Sequence, residues 1–230
     1  MWPTEADALI EEQRRLAAAA PPAWQPPAGE LMIAGCFVCF GRDRHGPGAA
    51  GEPAWAAAVA LRGRRHLAGT VRAGVASGPY EPGLLALREG PLLEAAVRDL
   101  PTEPAVLLVN ATGRDHPRRA GLALHLGAVL GLPTVGVTHR ALLATRELNS
   151  APQADWPPDR YGAASPIVID GEQVGCWLRT RAGTRPLAVH AAWRTSVNVA
   201  ADVVLRSWCR RRTPEPLRQA RHLARAARAA

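Results

Sequence analysis

Residues 105–137, AVLLVNATGRDHPRRAGLALHLGAVLGLPTVGV, decide the fold class. Ala105-Val106-Leu107-Leu108-Val109 reads as an apolar strand. Residues 117–130 read as a helix with Pro117 in its first turn, and 134–137 as a second short strand. Upstream, strands are predicted over 31–40, 54–61 and 66–74, separated by Gly/Pro turns across 41–53 and by the tight turn Arg62-Gly63-Arg64. These form a three-strand meander, followed by a helix over 83–99. Downstream come a surface loop over 148–164, a hairpin of 166–170 and 173–180 around Gly171-Glu172, a short strand over 186–190 and helices over 196–209 and 214–230. Antiparallel strands followed by alternating helices and strands predict a mixed α/β sheet flanked by helices. An Ala-rich helix over 5–20 and the prolines Pro21, Pro22, Pro26 and Pro27 precede it. The expected division is an N-terminal helix and linker (1–30), a compact domain (31–212) and a basic C-terminal helix (213–230).

The 230 residues include 28 basic and 20 acidic ones, a formal charge of +8, and every Lys/Arg position is arginine. Amine chemistry from a lysine is thereby excluded. The charge is −3 over residues 1–30, +4 over 31–205 and +7 over 206–230, so the body is only mildly basic. In the last segment Arg218, Arg221, Arg225 and Arg228 recur every three or four residues and share one helix face. Such a stripe is either a solvated face or a surface for an anion or an acidic partner. A hydrophobic content of 47% and a mean hydropathy of −0.09 describe a globular chain without a membrane-spanning run. The opening Met1-Trp2-Pro3-Thr4-Glu5 lacks the layout of a signal peptide, so a cytoplasmic protein is expected. Cys36 and Cys39 have C-x-x-C spacing, but on a strand residues three apart point to opposite faces; buried structural roles are expected for both.

Three stretches resemble the endonuclease V family. They are Pro79-Tyr80-Glu81-Pro82-Gly83 continuing to Pro91, Val109-Asn110-Ala111-Thr112-Gly113 continuing through Gly127 to Val137, and Ile33-Ala34-Gly35. The resemblance spans residues 31–215 and implies a ribonuclease-H-like fold that cuts nucleic acid near deaminated purines. It also implies that carboxylates on strand one, on the helix after the Pro-Tyr-x-Pro wedge and at the end of the fourth strand hold Mg²⁺ and activate water. Mapped onto this chain, the first carboxylate falls on Phe37, the second is kept as Glu89 and the third becomes Asn110. The family's later histidine falls on Trp193 and its lysine on His139. Mg²⁺ prefers hard oxygen ligands in octahedral array, and Phe37 offers none, so no metal and no other cofactor is expected. Asp43 and Asp115 are the alternatives for a relocated ligand. At the wedge, Glu81 brings a charge that repels phosphate, and Ala111 narrows the approach of a flipped base.

Several groups remain that could do chemistry. The turn Ala111-Thr112-Gly113 and the start of a helix at Pro117 could form an anion site with Arg118 or Arg119, unless those arginines are merely solvated. Glu89 could deprotonate an amine or pair with Arg88; His116, His139 and His190 are acid/base candidates or structural hydrogen-bonders. Phe37 and Trp193 could wall an apolar pocket, with Tyr80, Glu81, Thr112, His116 and Arg118 as further contacts. On this reading the scaffold is a metal-independent enzyme for a small molecule bearing an amine and an anionic group. The resemblance extends to endonuclease-V-like proteins of aziridine-forming antibiotic pathways, found beside a small partner protein; it implies ring closure by an amine displacing sulfate or phosphate, with Glu89, Asn110 and His139 catalytic. The alternatives are a catalytically inactive nucleic-acid-binding or repair-accessory protein, an active deoxyinosine-type endonuclease, and a scaffold for an acidic partner through the Arg helix.

Overall fold

The computed structural model describes residues 2–41, 48–143, 156–207 and 209–230; Asp43 and residues 148–155 of the expected loop lie outside them. In chain order the described elements are α1 (Ala6–Ala18), β1 (Met32–Phe40), β2 (Pro53–Arg62), β3 (Arg65–Val75), α2 (Leu85–Arg98), β4 (Val106–Val109), α3 (Leu122–Leu130), β5 (Thr134–Thr138), β6 (Ala164–Ile169), β7 (Glu172–Leu178), β8 (Leu187–Ala191), α4 (Val197–Arg206) and α5 (Glu215–Ala229). The strands form one mixed sheet in the order β3-β2-β1-β4-β5-β8-β7-β6. Strands β1, β4 and β5 run parallel at its centre, and the outer pairings are antiparallel. The mixed α/β sheet flanked by helices is the architecture read from the sequence.

Period-two alternation assigns the two faces. Ala34, Cys36, Leu107 and Val109 pack with α2 and α3 residues such as Leu87, Leu93, Ala123 and Leu126. Ile33, Leu108, Val135 and Val189 pack with Ala200, Val203 and Leu217 of α4 and α5. Cys36 and Cys39 fall into separate clusters, and burial raises the pKa of both thiols, as expected for structural residues. Pro166 is tolerated because β6 is an edge strand.

Two helices dock more closely than their sequence signals indicate. The basic helix read over 213–230 forms as α5 and lies on β1 and β2 through Leu217, Ala220 and Ala224. Its approach requires Gly35, where an added Cβ would stand 2.5 Å from the Pro216 carbonyl carbon. At the other end of the chain, the Trp2 indole stacks on His125 at 4.4 Å and donates through Nε1 to Glu94 Oε2 at 2.6 Å, while Leu9 and Leu16 of α1 are buried.

One element differs in a way that matters for the site. Helix α3 begins at Leu122, not Pro117. Arg119 adopts a left-handed φ of 55°, and the carbonyls of Thr112 and Gly113 accept from the amides of Ala123 and Gly121 at 3.1 and 2.9 Å. The helix start expected at Pro117 is therefore not there, and the amides of Gly121 and Ala123 at the real start are already used by the chain itself.

Candidate functional site

The parallel register brings three of the mapped positions together at one sheet end. Cys36 pairs with Val109 and Val109 with Gly136, so Phe37 and Asn110 are neighbours on adjacent strands and His139 follows the end of β5. Helix α5 lies over them. The Arg221 guanidinium sits 5.1 Å from the centre of the Phe37 ring, with Nη2 at 3.4 Å from Asn110 Oδ1, and Arg225 lies 5.9 Å from the same ring. Burial and then the charge of Arg225 hold the Arg221 pKa below its usual value. At His139, burial and then Arg212 and Arg221 depress the imidazole pKa. The arrangement is positive and aromatic-backed, and sequence reasoning missed it. The Arg stripe was visible, but the decisive signal was the apolar row Leu217, Ala220 and Ala224 beside it, which turns Arg221 inward over β1.

Glu89 projects from α2, on the opposite side of the sheet from α5, near enough to Cys36 to help raise the thiol's pKa. Burial lifts the Glu89 pKa to about 8, against the opposing pull of Arg88. Among the described residues its carboxylate has no hydrogen-bond partner or ion pair. Arg88 is committed elsewhere: it donates to Glu52 Oε2 at 2.5 Å, to Ala49 O at 2.8 Å and to Gly78 O at 3.0 Å, and it lies over the Phe40 ring. The expected Glu89–Arg88 salt bridge is thus replaced by an Arg88 staple between the 48–52 turn and the stem of the wedge loop.

The wedge loop is built around one carbonyl. Gly83 O accepts from Gln13 Nε2 at 3.0 Å, His116 Nε2 at 3.1 Å and Arg118 Nη2 at 2.8 Å, while Arg118 Nε donates to Gln13 Oε1 at 2.5 Å. Gly83 takes φ +82°, a conformation that favours glycine. Tyr80 and Glu81 stand exposed beyond this clamp, with the Tyr80 amide held by Gly48 O at 2.8 Å.

Other expected groups are placed differently. His116 Nδ1 accepts from the Arg118 amide at 3.2 Å and burial lowers its pKa to about 4, so it is a neutral structural bridge. Arg118 and Thr112 are likewise engaged within the chain, and Arg119 donates to Asp170 Oδ2 at 2.7 Å. Asp115 is fully buried and accepts from the amides of Leu142 and Leu143 at 2.6 and 2.9 Å. It is a structural tether rather than a relocated ligand. His190 is buried against it and against Thr138 Oγ1 at 2.8 Å, with a pKa lowered by burial to about 4. Trp193 does not meet Phe37. Its amide donates to Thr134 Oγ1 at 3.1 Å, at the start of β5, whereas His139 lies past the other end, roughly 15 Å away at strand rise. Trp193 instead lines a cavity of about 360 Å³ with Arg114, Arg194 and residues 17–21.

As a donor set, Glu89 and Asn110 offer one carboxylate and one amide oxygen, Phe37 offers nothing, and Arg221 adds positive charge. These residues do not fit a hard divalent cation. Among the described residues no group of three or more His, Cys, Asp and Glu could hold a metal ion.

The endonuclease V family model matches residues 27–222. The chain belongs to the endonuclease V family. Endonuclease V of Streptomyces avermitilis is 34% identical over 231 aligned positions, covering 98% of this chain and 93% of that protein. Its crystal structure superposes with a TM-score of 0.79 over 98% of this chain and 94% of that one. Endonuclease V of Nocardia farcinica is 44% identical over 149 residues, 65% of this chain and 62% of that protein. The fold is also shared with Ciona intestinalis endonuclease V, solved in complex with a 24mer DNA containing an inosine followed by a ribo-adenosine (20% identity, 96% of each chain, TM-score 0.79). The ribonuclease-H-like fold is thereby established.

These relationships overturn the expectation of a metal-independent, aziridine-forming enzyme for an amine-bearing small molecule. The relatives that cover nearly all of the chain are nucleases, and Phe37 and Trp193 do not wall one pocket together, since Phe37 lies under Arg221 and Trp193 lies elsewhere. No helix among the described residues is long and apolar enough to cross a membrane.

Proposed function

We propose that this endonuclease V family member binds nucleic acid at sites of base deamination, and that its strand-cutting centre has been converted to a binding surface. The observation that carries the reading is the wedge: Tyr80 projects, 45% exposed, from a loop fixed by three donors on Gly83 O. An exposed aromatic ring on a fixed loop is suited to stacking against an unpaired or displaced base. The fold is one on which a relative holds inosine-containing DNA. The conversion is supported by the donor set at Phe37, Asn110 and Glu89, which lacks the ligands that metal-activated hydrolysis needs.

A second reading, an active deaminated-base endonuclease, is favoured by the retained Glu89 and by the identity to the S. avermitilis protein over nearly its whole length. One experiment separates the two. Binding and strand scission are measured on duplexes with and without inosine, with Mg²⁺ and with excess chelator. Preferential binding without scission supports the binding role. Metal-dependent scission would establish the endonuclease reading, and absence of binding to either duplex at low salt would sink both.

A further inference from the structure

We propose that Arg221 and Arg225, backed by Phe37 and joined by Asn110, form a phosphodiester-binding site that makes nucleic-acid binding independent of divalent metal. The inference rests on the binding role above and specifies which group of the ligand this end of the sheet takes.

Four observations carry it. First, the positive charge is uncompensated. Arg218 on the same helix donates to Glu215 at 2.7 Å, whereas Arg221 and Arg225 have no carboxylate partner among the described residues. Second, the two guanidiniums converge on one ring, at 5.1 and 5.9 Å from its centre, near enough that the charge of Arg225 is felt at Arg221. Third, Arg221 has donors to spare: among the described residues its guanidinium makes one hydrogen bond, from Nη2 to Asn110 Oδ1 at a long 3.4 Å, and the unpartnered Nε beneath it leaves the group unanchored from below. A guanidinium with free N–H groups matches two oxygens of a phosphodiester in bidentate geometry. Fourth, the charges are fixed in place, because α5 is seated through Leu217, Ala220 and Ala224 and by close approach to Gly35.

The substitutions at the mapped positions make sense together. A carboxylate at position 110 would repel a phosphate unless a cation stood between them. Asn110 removes that repulsion and leaves its Nδ2 free to donate, and Arg221 supplies positive charge from the protein itself. Phe37, in place of the first carboxylate, gives the guanidiniums a surface to rest on.

The test is fluorescence anisotropy with an inosine-containing duplex across a salt series in excess chelator, on wild type, Arg221→Gln, Arg225→Gln and the double variant, each checked for folding by circular dichroism. Wild type is expected to bind equally with chelator and with Mg²⁺. Each single variant should weaken binding about tenfold and lower the slope of log affinity against log salt by about one. Arg221→Lys, which keeps the charge but not the fork, should keep the slope and lose affinity. Inorganic phosphate should compete with DNA for wild type and not for the double variant. Wild-type binding with unchanged affinity and slope in the folded double variant overturns the inference and leaves the binding role standing. A requirement for Mg²⁺ does the same. If wild type binds no DNA, the binding role falls, and the anion site is judged by phosphate alone: a phosphate-dependent rise in Tm confined to proteins that retain Arg221 and Arg225 supports it, and no rise overturns it.

Discussion

The Arg221 guanidinium faces Asn110 across the gap between helix and sheet, with Nη2 3.4 Å from Oδ1. Asn110→Asp would place a carboxylate against that charge in a partly buried setting. The expected gain is about 1 kcal/mol at low ionic strength, fading as salt is added. The same substitution should weaken DNA binding and should not bring Mg²⁺-dependent scission, because Phe37 still provides no ligand and Arg221 occupies the new carboxylate. Thermal melts across a salt series and a cleavage assay check both halves. Metal-dependent cutting by the single variant would show that Arg221 yields its place to a cation.

Glu89 gives the protein a pH dependence with a definite sign. Burial raises its pKa from 4.5 to about 8, so the folded state holds this proton more tightly than the unfolded chain does. The resulting stability is fully present below pH 4.5 and is lost as pH rises toward and through about 8. Glu89→Gln removes the titration without removing the side chain's volume. The variant should match wild type near pH 4.5 and exceed it above pH 8, by an amount on the order of a few kcal/mol. Denaturant melts at a series of pH values measure the difference, and parallel curves for the two proteins would show that Glu89 ionises freely in the fold.

The fold was legible because its signals are local. The apolar runs 31–40, 54–61 and 105–109 and the Arg62-Gly63-Arg64 turn each specify an element regardless of the rest of the chain. The site was less legible because it depends on register. Phe37 and Trp193 look equivalent as replaced positions in a linear alignment, and only the antiparallel pairing of β8 with β5 shows that they fall toward opposite ends of the central strands. Pro117 resembles a helix start, but the competing bonds from Gly121 to Gly113 O and from Ala123 to Thr112 O lie in a turn that no periodicity announces. At α5 the charges drew the reading toward solvent, while the neighbouring Ala and Leu residues, lower in contrast, determined which way the helix faces.

The seating of α5 can be tested at Gly35. A Cβ there would lie 2.5 Å from the carbonyl carbon of Pro216 and 2.6 Å from the amide nitrogen of Leu217. Both are backbone atoms, so no side-chain rotation relieves the clash and the helix must lift. Gly35→Ala should cost about 2–3 kcal/mol through overpacking. It should also weaken DNA binding beyond what the melt explains, since Arg221 and Arg225 ride on the displaced helix. Normal affinity in a destabilised but folded variant would separate the position of α5 from binding.

The wedge loop offers the sharpest test of what holds recognition in place. Gly83 O accepts three donors, and Gln13 and Arg118 also bond to each other at 2.5 Å, so α1, the 112–119 turn and the loop converge on a single point. Arg118→Ala removes one donor to Gly83 and the partner of Gln13 together, while His116 remains. The loop should stay near its present position but open more often, because each bond of this kind contributes about 1 kcal/mol net, more where a charged donor takes part. Amide exchange at Tyr80 and Glu81 should quicken by about tenfold, exchange in the β4 core should be unchanged, and binding to inosine-containing DNA should fall through a faster off-rate. The loop is independent of the clamp if exchange at Tyr80 is unaltered; if it quickens while DNA affinity holds, Tyr80 is not the contact that binds.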